Sequence, residues 1–442
     1  MAFKELSKLQ IQDYPTKLIV FIFILLASIT CFGQEKDALN YIKDHAVVID
    51  TNTDDLKDIA LLKDELATKR IVGMGEATHG THEFQALKFS VFKFLVTEMH
   101  YKLFGLEAGF AESLVVNDYI LYGKGNAKQA IRGMHYWMWS NKDFLKMIEW
   151  MRTYNSDKPM EQRIRFYGFD MQLDGYAIQF ITSSLKKLDS VYFNTHFSAF
   201  PNQHIAYVKF TDSKKDSTQV LLNSVKTYIN DQEDNLLKLF SKDELAYLKH
   251  SLVLLQQCFD LNTDHTNMMI ASLQKRDKYM AENVEWILNF EGPKSKVMLW
   301  AHNGHISKSN RMFGDNMGSE LAKVYKDHYY SIGFDFNKGS FKAADLKAQN
   351  NKIFTVGDAY KGSSSRILSA VPIPAFFIDI DEAVESGSAA KTLFTQKLRM
   401  RSIGLNFDSK NEAMFYTSGE LYNMYDGLIF VNDTTGIIGL DQ

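Results

Sequence analysis

Short apolar runs bounded by glycine and polar residues alternate along this chain with longer stretches whose apolar positions recur every three or four residues. Arg70-Ile71-Val72-Gly73-Met74 reads as a buried strand, and the stretch from about Thr81 to Glu98 as a helix. Lys102 to Leu106 predicts a second strand, with helical patterns after it through Leu121 and again from Lys142 to Tyr154. Ile164 to Tyr167 and Lys296 to Trp300 predict a third and a fourth strand. Strands alternating with helices predict an α/β fold: a largely parallel central sheet flanked by helices.

The pattern changes between the third and fourth strands. A helical insertion is expected over about 175–292, with three long helices from about Ser217 to Phe290. Ser241-Lys242-Asp243-Glu244 has the spacing of a capping box and marks one helix start. An insertion at this point can roof one end of the sheet, or simply cover it. Beyond it, Tyr330 to Phe334 and Ser340 to Ala343 flank Asn337-Lys338-Gly339 and predict a hairpin. Ala375 to Ile378 and Gly427 to Val431 predict further strands. No stretch rich in Pro, Gly or Ser divides the chain, so residues 34–442 read as one domain.

The N-terminus departs from this alternation. Lys17 precedes an apolar run from Leu18 to Ile29, too short to span a bilayer comfortably. Ser28, Thr30, Cys31 and Gly33 follow or close that run before polar Gln34-Glu35-Lys36. This is the layout of a signal peptide over 1–33, cleaved after Gly33, and it predicts a periplasmic or secreted protein with no membrane association after cleavage. An uncleaved anchor or a lipidated Cys31 is the competing reading. The two cysteines, Cys31 and Cys258, supply no disulfide framework, and Cys258 in an apolar helical stretch reads as a core residue. A formal net charge of −3 gives no reason to expect nucleic acid or an anionic membrane as partner. The oligomeric state is not legible.

Candidate chemistry gathers at strand ends. Gly73-Met74-Gly75-Glu76-Ala77-Thr78-His79-Gly80 lies between a predicted strand and a helix, where open α/β sheets place their ligands. Glu76 and His79 are three residues apart on a glycine-rich turn, close enough for a carboxylate to orient an imidazole that accepts a proton from water. His82 and Glu83 read as residues of the following helix start. His302-Asn303-Gly304-His305 ends another strand and can face the first cluster. Glu107 stands at a third strand end. Lys88, nine residues after His79, either snorkels to solvent or leans back toward the site. Zinc is a possible partner for histidines and carboxylates, but neither His-Glu-x-x-His nor a thiolate run occurs, and no Gly-x-Ser-x-Gly elbow appears. Water activated by histidine is the simplest reading, with no metal or other cofactor. A metal-dependent hydrolase on the same residues, or a cleft that binds glycan or lipid without chemistry, stays open.

The chain resembles the erythromycin esterase family. The likeness is carried by Gly75-Glu76-Ala77-Thr78-His79-Gly80 with Glu83-Phe84, by Gly105-Leu106-Glu107, and by Trp150-Met151-Arg152 with Tyr154-Asn155. It continues through Gly168-Phe169-Asp170, Arg276-Asp277 with Met280 and Asn283, Trp300 to His305, and Tyr425 to Phe430. Each motif alone is weak; together, in the family's order, they cover nearly all of the chain after the signal segment. The resemblance implies metal-independent hydrolysis of an ester or lactone, macrolide lactones included. It places the general base on His79 with Glu76 beside it and His302 and His305 lining the site; on this reading all four are catalytic, with His302 or His305 supporting the developing oxyanion, and Glu107 and Lys88 bind substrate. Well-studied members have arginine where Lys88 stands, and some members are labelled for polysaccharide (succinoglycan) biosynthesis.

Overall fold

Alternation of buried side chains along each strand builds the centre of the protein. The computed structural model describes residues 35–51, 59–198, 200, 205, 210–263, 269–309 and 314–441, so the expected signal segment lies outside the described residues. Among these, ten strands form one sheet. We name them β1 (Val47–Val48), β2 (Ile71–Met74), β3 (Leu103–Gly109), β4 (Arg165–Asp170), β5 (Val297–Trp300), β6 (Tyr329–Asp345), β7 (Asn351–Val356), β8 (Ala375–Asp379), β10 (Asn406–Phe407) and β12 (Gly427–Thr434). The remaining pair, β9 (Lys397–Arg401) and β11 (Tyr416–Glu420), forms a separate antiparallel ribbon. The main order is β1-β8-β12-β6-β2-β5-β3-β4, parallel from β12 through β4 and antiparallel where β8 meets β1 and β12.

Both faces of this sheet are covered, as a parallel sheet requires. Val72, Met74, Phe104, Phe166 and Trp300 face helices α1 (His82–Met99), α2 (Phe110–Tyr122) and α3 (Lys142–Asn155). Their neighbours Ile71, Leu103, Tyr167, Val297 and Leu299 face the opposite way, against Met280, Val284 and Ile287. The insertion contains α4 (Gly175–Leu188), α5 (Asp212–Asp231), α6 (Lys242–Thr263) and α7 (Met269–Glu291), three of them the long helices expected. The capping box is formed: the Glu244 backbone N–H donates to Ser241 Oγ and the Ser241 N–H donates back to Glu244 Oε2. Leu222, Val225, Leu248 and Leu255 give the insertion its own apolar core, in which Cys258 is buried.

One predicted turn is wrong. Asn337-Lys338-Gly339 does not close a hairpin; it lies inside the single long strand β6. Its backbone is bound on both sides, since β12 pairs in parallel as far as Gly339↔Thr434 and β7 pairs antiparallel from Gly339↔Val356 onward. Gly339 bends the strand at φ +125°, a conformation other residues rarely adopt, and a Cβ there would meet the Thr434 carbonyl oxygen at 2.2 Å. The reversal occurs after Asp345 instead, where Gln349 takes a positive φ of 52°. A second correction concerns β3, which runs three residues past Leu106, so Glu107 sits within the strand beside a register irregularity, not beyond its end.

Candidate active site

Parallel register sets the site. Met74 and Leu106 both pair with Trp300, and Leu106 also pairs with Gly168. Glu76, Glu107, His302 and Asp170 are therefore one or two residues beyond a common level at the carboxyl edge of four adjacent strands. Sequence-separated side chains converge there because the strands do. Gly75 makes the first turn possible: a Cβ on it would lie 2.1 Å from Asn303 Oδ1. Asn303 ties the ends together, donating its backbone N–H to Glu76 O and bonding both backbone groups of Phe334 through its side chain.

Glu76 is fully buried and makes three contacts. Its Oε1 meets His79 Nδ1 at 2.5 Å, and its Oε2 accepts from Lys88 Nζ at 2.5 Å and Trp300 Nε1 at 2.8 Å. Burial opposes its charge, yet Lys88 and His79 outweigh that and hold the carboxyl below its ordinary pKa. Lys88 does not snorkel. It is 0% exposed and lies 4.2 Å from the Trp300 ring centroid. Burial lowers its pKa to about 8 against the pull of Glu76. With an ionised carboxylate on Nδ1, the His79 proton belongs on that nitrogen and the Nε2 lone pair faces away from Glu76.

A second group adjoins this one around Glu107. Its Oε2 accepts the His302 backbone N–H at 2.9 Å; its Oε1 accepts from Arg276 at 2.9 Å and lies 3.2 Å from His305 Nε2. Arg276, on α7, also grips Asp170 through Nη2 at 2.7 Å and Nε at 3.3 Å. Burial opposes ionisation of Glu107, but His305 and Arg276 keep it well below the usual carboxylate range. His305 Nδ1 lies 2.7 Å from Asp277 Oδ1. Burial works against charging His305, yet Asp277 and Glu107 push its pKa up to about 10. Its Nε2 also approaches Arg276 at 3.2 Å. Two flanking carboxylates decide the charge of the ring, and we take that approach as two cations sharing Glu107.

The two histidines of the second motif thus differ. His305 is engaged at both nitrogens. His302 Nδ1 accepts the Gly304 N–H at 3.2 Å, which leaves the ring proton on Nε2, a buried atom with no partner among the described residues. Burial first, then His79 and His305, lower the His302 pKa to about 3, so the ring is neutral. Its centroid is 5.3 Å from that of His79. The structure therefore brings together all six residues singled out in the sequence: Glu76, His79, Lys88, Glu107, His302 and His305. Among the described residues no three His, Cys, Asp or Glu side chains are grouped to hold a metal ion.

Two flanking residues fall outside the cluster. His82 meets Asp143 at 2.8 Å and Glu83 accepts from Thr435. Asp170, Asp277, Trp300 and the linking role of Arg276 were missed by reasoning on strand ends alone. A signal was present, since Arg276 shares the helical face of Met280, Asn283 and Ile287, all buried, where a charged residue needs partners. A cavity of about 950 Å³ opens elsewhere, between α2, α4 and the start of α6, with Leu114, Arg165, Phe180 and Tyr247 in its walls; it includes none of these groups.

Known proteins share this arrangement of elements. The profile of the erythromycin esterase family matches residues 96–434. "Putative hydrolase YbfO" of Bacillus subtilis (strain 168) is 26% identical over 385 residues, covering 80% of this chain and 83% of that protein. Erythromycin esterase type II of Escherichia coli is 25% identical over 381 residues, covering 76% and 87%. A crystal structure of a Bacillus cereus protein superimposes with a TM-score of 0.80 at 22% identity, over 91% of this chain and 98% of that one, a likeness of fold.

Proposed function

The chain belongs to the erythromycin esterase family, a family of hydrolases, and from that premise we propose that it cleaves carboxylic esters or lactones with His79 as general base. One observation carries the reading. Glu76 is fixed by Lys88 and Trp300 on one oxygen and holds His79 by the other, so Nδ1 is occupied and Nε2 is presented as a base. Water attacks the acyl carbon while its proton passes to His79 Nε2, and the carbonyl electron pair moves onto oxygen. The bond to the leaving oxygen then breaks, and that oxygen takes the proton from His79. An ester yields acid and alcohol; a lactone yields one ring-opened hydroxy acid.

His302 is placed to stabilise the oxyanion in this scheme, through the unpartnered Nε2–H of its neutral ring. Glu107, Arg276 and His305 position that ring, because Glu107 accepts the His302 backbone N–H and is itself held by the other two. A macrolide-like lactone is the substrate class favoured by family membership. The test incubates purified protein with macrolide lactones and p-nitrophenyl esters and reads addition of one water by mass spectrometry. The wild-type rate should survive chelation and be lost in His79→Ala; a folded His79→Ala protein of near wild-type rate would overturn the reading. We also propose that the chain is exported, on the strength of Lys17, the apolar run to Ile29 and the polar start at Gln34. N-terminal sequencing should find a mature start near Gln34; an intact Met1 or a lipid-modified Cys31 would contradict this.

A further inference from the structure

The hydroxyl of Tyr136 is buried and has no hydrogen-bond partner among the described residues. A buried tyrosine ordinarily finds one, so its orphan oxygen calls for an explanation. It lies close enough to Asp170, Arg276, Glu112 and Glu107 to feel their charges, on the side of the site where Arg276 joins Asp170 to Glu107. Asp170, Glu107 and Arg276 are bound to one another and do not take its proton. Burial first, and then Asp170, raise the phenol pKa well above 10, so the group is a donor at any physiological pH.

The backbone around it is built to hold that position. Residues 134–140 link the short helix Ala127–Gly133 to α3, and His135 within them adopts a left-handed φ of 63°. A non-glycine residue is held there only when its surroundings insist. Gln85 donates to both Met138 O and His79 O, which fixes this segment to the turn that carries the base. Trp139, three residues after Tyr136, holds its ring nearly perpendicular to that of His79 at a centroid distance of 6.4 Å. Its Nε1–H is likewise buried and unpartnered among the described residues. His302 Nε2, Tyr136 Oη and Trp139 Nε1 are thus three buried donors left open among the described residues around this site, while Glu107 and Asp170 are engaged by Arg276. Such a site is completed by a ligand that brings acceptor oxygens.

We propose that Tyr136 is a catalytic residue whose hydroxyl donates to the substrate's acyl oxygen, sharing with His302 Nε2–H the oxyanion that forms when water adds. This rests on the hydrolytic reading above. No proton leaves Tyr136 in the step: the water proton goes to His79, and the phenol only strengthens its hydrogen bond as charge develops on the oxygen.

The test is Tyr136→Phe in the full chain, assayed on whichever ester or lactone the wild type hydrolyses, with His79→Ala alongside. Removal of one oxyanion donor should lower kcat roughly 10²- to 10³-fold, with little change in KM, melting temperature or pH profile. A kcat within threefold of wild type, or a change confined to KM, would overturn the role. Activity retained in His79→Ala would instead sink the hydrolytic reading, whatever Tyr136→Phe does. Calorimetry with phenylphosphonate, a stable tetrahedral anion, gives a second readout independent of turnover. Wild type should bind it at least tenfold more tightly than Tyr136→Phe; equal affinity, or no binding by the wild type, would count against the proposal.

Discussion

Replacing Glu76 with glutamine tests the centre of the mechanism with almost no change of shape. The carboxylate contacts three groups: His79 Nδ1, Lys88 Nζ and Trp300 Nε1. A glutamine offers one carbonyl oxygen and one NH₂ for the same three. Trp300 can only donate, so it decides the orientation. The carbonyl must stay where Oε2 was, facing Trp300 and Lys88, because an NH₂ there would leave buried donors unsatisfied at about 1–3 kcal/mol each. The NH₂ then faces His79 Nδ1, which must turn a lone pair toward it and carry its proton on Nε2. That is the wrong tautomer for a base.

The structural cost is smaller than the chemical one. An unpaired ammonium left buried would cost about 3–5 kcal/mol. Lys88, however, has a pKa lowered to about 8 even with Glu76 raising it, so in the variant shedding its proton at pH 7 costs at most about 1.4 kcal/mol. The cheaper route caps the loss, and the variant should fold. Its kcat should nevertheless fall by roughly 10²- to 10⁴-fold, the span of a positioned general base. Nitrogen-15 shifts of the His79 ring should report Nε2–H where the wild type reports Nδ1–H. A folded Glu76→Gln protein that keeps more than a tenth of the wild-type kcat, or keeps the wild-type tautomer, refutes the reasoning.

Lys88→Met leaves Glu76 as a buried carboxylate without its cation, and should cost about 3–5 kcal/mol in urea denaturation at pH 7. Wild-type Glu76, whose folded pKa lies below its ordinary value, contributes stability above the ordinary carboxylate pKa and loses it as pH falls through the lowered one. The variant lacks that contribution, so the gap between the two proteins should narrow in acid; an equal gap at pH 7 and pH 4 would be the wrong result. His305 has the opposite sign. Its folded pKa of about 10 exceeds the ordinary 6.5, so its stabilisation is complete below pH 6.5 and disappears as pH rises through 10. Between those limits the wild type should lose up to about 1.4 kcal/mol per pH unit more than His305→Gln; parallel stability curves would show that His305 is not an imidazolium.

Strand ends were the legible part of this protein. Apolar runs of four or five residues located β2, β3, β4 and β5, and the polar residues just beyond them were the right place to look, because parallel strands deliver their carboxyl ends to one edge. What failed was local punctuation read without its neighbours. Asn337-Lys338-Gly339 has the composition of a turn, but β12 and β7 bind its backbone from either side, and pairing partners far away in sequence override turn propensity. β9 and β11 went unpredicted for a related reason: as a two-stranded ribbon outside the main sheet they lack a continuous apolar run.

Within the site, the candidate residues were legible but their individual roles were not, because those roles exist only after folding. Lys88 carried no sign in the sequence of whether it would reach water; the aromatic walls of Trp300 and Phe334 and the carboxylate of Glu76 settle its place. Nor could spacing separate His302 from His305. One faces a backbone N–H and stays neutral, whereas the other is wedged between Asp277 and Glu107 and becomes a cation. Three residues apart at the start of one short helix, they differ because His305 reaches Asp277 on α7, a segment of the insertion, as well as Glu107 on β3, whereas His302 reaches neither carboxylate with its ring. The insertion therefore does more than cover the sheet: Arg276 and Asp277 reach from it into the site, and without them Glu107 would lose the charges that hold it ionised beneath His302.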